Sequence, residues 1–242
     1  VAAPADLAGW WTFDEPVNGV WADEVGGNEL SEGSSTLVQA NSNGKVDGAV
    51  DIPAGAYLKS KTTLSPADAD FSLDAWVRVE QPNKVQTIVG SSSKNSETGF
   101  WLGTNGSNWE LQLADGPGQS KAYTSTSTIT PGQWHFVAVT VDLTKKEVQF
   151  IIDGTKETEQ KITNATLNFP NPGSTAIGYD PFSSAANTTA ISVDELQFFE
   201  RALTPQELID IHTADTNGKC KPRCVAAPAD LAGWWTFDEP VN

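Results

Sequence analysis

Val148-Gln149-Phe150-Ile151-Ile152, followed at once by Asp153-Gly154, decides the fold class of this chain. β-Branched and aromatic residues suit a strand, and Asp-Gly supplies the positive φ angles that a two-residue type I′ turn demands. This strand is read as Glu147 to Ile152; the flanking run Trp134 to Asp142 has the same character, so the two read as neighbouring antiparallel strands.

Similar runs recur in both directions between clusters of Gly, Pro, Asn, Asp and Ser. They are Leu7 to Phe13, Ala49 to Ile52, Ala56 to Ser60, Phe71 to Val79, Thr87 to Ser91, Gly99 to Thr104, Trp109 to Leu113, Ala122 to Thr128, Thr175 to Tyr179 and Ile191 to Phe199. Short strands punctuated by turn residues predict a large all-β antiparallel sandwich. One helix is expected. In Thr204-Pro205-Gln206-Glu207 the hydroxyl can cap, proline fits the first helical position and Glu207 can reach back, so the helix should run to about His212.

Composition narrows the function. Across 242 residues, 38% are hydrophobic, with nine Trp and ten Phe, which is enough apolar material for a compact core and argues against disorder. The 31 acidic residues against 15 basic ones give a net charge of -16, so the surface repels phosphate and a nucleic-acid role is excluded. Such charge suits a protein that stays soluble at high density. No apolar run approaches the roughly 18 residues of a membrane span. Methionine is absent and the first residue is Val1, which reads as a mature or internal fragment. Cys220 and Cys224 lack the further ligands of a zinc site, so they read as a local disulfide in an oxidising compartment or as inert thiols.

Residues 1 to 18, VAAPADLAGWWTFDEPVN, recur without a difference as residues 225 to 242. Within residues 1–224 no further period appears. The expected organisation is one unit over 1–224, with a core at about 7–213 and a Cys-bearing linker at 214–224, followed by the first strand of another copy. A natural tandem array and an engineered duplication both produce this pattern. The second copy contains Leu231, Trp234, Trp235 and Phe237, an apolar strand that must be docked. Residues 225–242 are expected to run into a neighbouring unit, as the next repeat or as a donated strand, giving a head-to-tail filament of copies of this chain.

The ordered series Gly9 to Asp14, Phe71 to Val77, Trp134 to Thr140, Phe150 to Gly154, Val193 to Gln197 and Arg201 to Glu207 resembles the concanavalin A-like jelly roll of the laminin G-like type. The resemblance implies an antiparallel two-sheet jelly roll over residues 7–213 with one short C-terminal helix. It implies little about function, because lectins, adhesins and spacers share this fold.

Catalysis is not expected. The Glu-x-Asp-x-x-Glu strand motif of the related glucanases is missing, and neither His135 nor His212 accompanies a recognisable nucleophile. Structural Ca2+ is a candidate cofactor. Trp21 to Asn28 forms a Gly-bearing loop with carboxylates, and alternation puts Asp194 on the face of Leu196 and Phe198, where a carboxylate must be paired, hydrogen-bonded or metal-bound. The resemblance implies a calcium that joins the beginning of the domain to a late strand, giving the set Asp14, Asp23, Asn28 and Asp194. For glycans, Trp101, Trp109, Tyr123, Tyr179 and Phe182 are the aromatics at loops or on outward-looking faces, with Trp101 outward if Phe100 and Leu102 face in. Glycosylation sequons occur at Asn105, Asn164 and Asn187. The resulting expectation is a non-enzymatic extracellular or cell-surface repeat, adhesive or structural, with a carbohydrate-binding module as the alternative.

Overall fold

The computed structural model describes residues 3–62, 64, 66, 69–93, 98–163 and 175–219. Its strands begin with β1 Leu7–Trp11, β2 Val20–Trp21, β3 Leu30–Glu32, β4 Gln39–Asn41, β5 Ala49–Ile52, β6 Leu58–Ser60 and β7 Phe71–Val79. They continue with β8 Gln86–Ser93, β9 Thr98–Asn105, β10 Asn108–Asp115, β11 Ser120–Thr128, β12 Trp134–Asp142 and β13 Glu147–Ile152. The short β14 Thr155–Lys156, β15 Gln160–Lys161, β16 Thr175–Ile177, β17 Tyr179–Asp180 and β18 Ala185–Ala186 lead to β19 Ile191–Phe199 and helix α1 Pro205–Ala214.

Two large antiparallel sheets face each other. The first has the order β14-β13-β12-β7-β19-β5-β4, with β1 also on β19 and β15 on β13. The second runs β11-β10-β9-β8-β16-β6-β3-β2. This is the expected jelly roll.

Alternation assigns the faces. From β7, Phe71, Leu73, Ala75, Val77 and Val79 point between the sheets, where Phe71, Phe100 and Phe198 stack at centroid distances of 5.4, 5.9 and 6.0 Å. Trp76 and Phe136 point the other way and form a second apolar layer with Ile151, Phe199, Leu203, Leu208 and Ile211. Helix α1 covers that layer, so the first sheet is buried on both faces. The expected capping box is present, with Thr204 accepting from the Glu207 amide and Glu207 accepting from the Thr204 amide. The helix extends to Ala214, beyond His212, because His212 packs on Trp76 and Phe136 at 5.5 Å from each.

The Asp153-Gly154 turn has φ values of 50° and 74°, as its sequence demands. A Cβ on Gly154 would lie 2.6 Å from His212 Nδ1. Gly154→Ala therefore combines left-handed strain with a clash against α1, and should cost roughly 2 kcal/mol in urea unfolding. A change below a few tenths would refute the turn's role in seating the helix.

Candidate functional site

Among the described residues, two regions hold chemistry that the fold does not consume: a buried polar layer on the outer face of the first sheet, and a hollow on the outer face of the second.

The polar layer begins with a bulge. Opposite Ala75 of β7, β19 inserts an extra residue between Asp194 and Gln197, and Glu195 adopts φ 52°. The bulge breaks alternation. Asp194 pairs with Trp76 on the outer face, while Leu196 and Phe198 point inward, so the face assigned to Asp194 from alternation is corrected. Asp194 is fully buried, and its Oδ2 accepts from the amides of Lys45 and Val46, both at 2.8 Å. Its Oδ1 has no hydrogen-bond partner. Burial pushes its pKa up to about 8 against the pull of those amides. Asp74, 1% exposed and opposite Gln197, has no partner for either oxygen, and burial pushes it up to about 7. The bulge turns Glu195 into this outer layer, where it accepts from Trp10 Nε1 at 3.0 Å and meets Lys219 Nζ at 3.2 Å; burial raises its pKa too. Sequence reasoning missed Asp74, Glu195 and Lys219. Residues 214–219, read as linker, instead end α1 and lay Lys219 into this layer.

The four expected calcium ligands are divided. Asp23 Oδ1 accepts from the amides of Trp10 at 2.9 Å and Val25 at 3.1 Å, and Oδ2 accepts from the Asn28 amide and Nδ2, both at 3.2 Å. Asn28 also donates to the Ala8 carbonyl and accepts from Thr62 Oγ1. These two residues staple the loop to β1. Asp14 and Asp194 lie apart from them around the 44–48 turn, where Asp14 accepts from the Gly48 amide at 3.2 Å. Among the described residues no three His, Cys, Asp or Glu side chains are grouped to hold a metal ion. The set does not fit one calcium.

The aromatic expectations are corrected as well. Trp109 and Tyr123 face the inner core and are 0% and 5% exposed. Trp101 does face outward, but it lies over Gly103, donates to Thr87 Oγ1 at 2.7 Å and is 2% exposed, leaving no free ring face. Tyr179 is different. It opens the β17–β18 hairpin and meets Tyr57 at a centroid distance of 4.6 Å, both rings half-buried. The pair borders a hollow of about 230 Å³ with Lys59, Ser92, Pro181 and Ser184. Two glycines make the room. A Cβ on Gly33 would enter the Tyr57 ring at 2.0 Å, and one on Gly90 would sit 2.6 Å from Pro181. Sequence reasoning missed Tyr57, although alternation could have found it, since buried Ala56, Leu58 and Ser60 send Tyr57 and Lys59 outward by period two.

His135 Nδ1 lies 2.7 Å from Asp153 Oδ2, and that bond raises its pKa. His212 is half-buried under Trp76, and burial lowers its pKa. His135 ties β12 to the Asp153 turn, and His212 seats α1 on that turn at Gly154. Asn187 is buried and exchanges hydrogen bonds with the Thr87 backbone, so that sequon is structural. Asn105 donates to Glu110 Oε2. Asn164, Cys220, Cys224 and the segment with Leu231, Trp234, Trp235 and Phe237 lie outside the described residues.

No curated protein matches this sequence. Solved structures do. The binding domain of botulinum neurotoxin serotype D superposes with a TM-score of 0.68 at 16% identity, covering 86% of this chain and 52% of that one. The serotype G binding domain gives 0.64 at 16% identity, covering 85% and 50%. The serotype D ligand-binding domain in complex with N-acetylneuraminic acid gives 0.65 at 16% identity, covering 86% and 51%. The chain spans about half the length of these toxin chains, and at such identity the likeness shows the fold. Residues 43–209 match the family described as the concanavalin A-like lectin/glucanases superfamily, and the chain belongs to that family.

Proposed function

We propose that this chain is a non-catalytic extracellular carbohydrate-binding module that holds a sugar in the hollow bordered by the Tyr57–Tyr179 pair. The observation that carries the reading is that pair of half-buried rings beside an open hollow. Sugars present C–H faces that stack on aromatics and hydroxyls that need fixed polar partners, here Ser184 and the tyrosine hydroxyls. Lys59 adds a cation suited to an acidic sugar. The similarly folded toxin domain obtained with N-acetylneuraminic acid supports the reading at the level of the fold.

A glycan array probed with the full chain should give a defined set of positives, and Tyr179→Ala should weaken them at least tenfold, about 1.4 kcal/mol. Tyr179 is half-buried at a hairpin, so the melting temperature should stay nearly unchanged. A blank array, or binding untouched by Tyr57→Ala and Tyr179→Ala, overturns this reading.

A second reading rests on a separate observation, the identity of residues 1–18 and 225–242. It makes the module one unit of a head-to-tail adhesive or structural array. Light scattering of the full chain against one lacking 225–242 tests it: assembly should need that segment.

A further inference from the structure

The buried layer contains an amine beside an acid. Lys219 and Glu195 have side chains 3% and 4% exposed, with Nζ 3.2 Å from Oε2, and Lys219 Nζ lies 5.5 Å from the Trp10 ring centroid. The same Oε2 accepts from Trp10 Nε1 at 3.0 Å. Asp74 shares the layer, feels the charges of both Lys219 and Glu195, and has neither carboxylate oxygen hydrogen-bonded.

We propose that Lys219 and Glu195 condense into an intramolecular amide that cross-links the chain after α1 to the bulge of β19, with Asp74 carrying the protons. In water the two groups stay as hydrated ions, and an ammonium has no lone pair with which to attack. Burial removes that hydration and raises the pKa of the Glu195 carboxyl, so a proton passed from Nζ across the 3.2 Å contact leaves an amine beside an acid. Contact distance replaces a bimolecular encounter with a fixed neighbour.

The step balances without an oxidant or a co-reactant. The Nζ lone pair attacks Glu195 Cδ, and the Trp10 N–H stabilises the charge that develops on Oε2. Asp74, as the neutral acid, protonates the leaving Oε1. The Nζ–Cδ bond forms, the Cδ–Oε1 bond breaks, and the Asp74 carboxylate takes the surplus proton from Nζ. One water departs, and Asp74 ends as it began. Asp194 is the poorer proton carrier, because its Oδ2 already accepts two amides.

The test is the intact mass of the full chain, folded, purified and then reduced and denatured. It should be lighter than the sequence by one water molecule, and tryptic digestion should fail at Lys219 and yield residues 162–201 joined to the peptide bearing Lys219. Lys219→Arg keeps the charge and the fold and should restore the full mass, as should Glu195→Ala. Asp74→Ala, with both partners intact, should slow or abolish the link. A wild-type chain at full mass overturns the proposal. So does a link mapped to Asp74, or loss of ammonia through Gln197. An unslowed link in Asp74→Ala removes the role given to Asp74.

Discussion

Raising the pH from about 5 to about 8 should lower the unfolding free energy of this protein by several kcal/mol, and Asp74→Asn should remove much of that loss. Burial pushes the Asp74 pKa from 3.8 to about 7 and that of Asp194 from 3.8 to about 8. Both are raised above their unfolded values. The unfolded chain therefore sheds these protons near pH 4 while the folded chain keeps them, and stability falls as pH rises until the folded pKa is passed. For Asp74 alone the ceiling is about 4 kcal/mol at about 1.36 kcal/mol per pKa unit. The raised pKa of His135 acts in the same sense, with stability lost as pH rises through it, and the lowered pKa of His212 acts against it. Glu207, held down to about 2 by Arg201, contributes stability that is lost only in acid, below this window. Urea unfolding followed by tryptophan fluorescence across the range checks the slope. A flat or rising profile in the native chain would show that the layer is not dry.

Trp76→Ala should cost about 3–5 kcal/mol, a large part of the roughly 5–15 kcal/mol that holds a typical domain. The ring is 5% exposed, packs on Phe136 at 5.4 Å and on His212 at 5.5 Å, and carries Lys45 Nζ 4.5 Å above it. Removing it opens the layer under α1, so the helical circular-dichroism signal should melt ahead of the sheets. Trp134 offers the contrast. It is partly exposed, with Arg78 stacked at 5.2 Å, and Trp134→Ala should cost about 1 kcal/mol. Equal losses in the two variants would mean that α1 is not anchored through Trp76.

The long strands were legible because each combines a period-two pattern with turn residues at its ends. β5, β7, β12, β13 and β19 start and stop where the pattern does, and the capping box located α1. β2, β3 and β4 were not legible, since two or three residues carry no period. The site was harder. The bulge puts a glutamate at φ 52°, a conformation for which glycine or asparagine is the usual signal, so alternation sent Asp194 to the wrong face. Lys219 follows Thr-Asn-Gly, which reads as a polar exit, and only the packing of the preceding helix turns it inward. Trp101 was placed on the proper face, but the threonine and glycine that seat it flat lie in partner positions no local pattern reveals.

The position of Lys219 against Trp10 has a mechanical consequence. The chain arrives along β1 and departs past Lys219, and the two meet where Nζ lies 5.5 Å from the indole ring. A pull on the flanking chain would load that one junction, and the sandwich would hang beside the line of tension without bearing it. Force would then find the ladder between β1 and β19, whose pairs run Leu7 with Phe199 to Trp11 with Leu196, and the polar knot behind it. How far the module stretches before the remaining strands feel the load depends on how firmly that knot is tied.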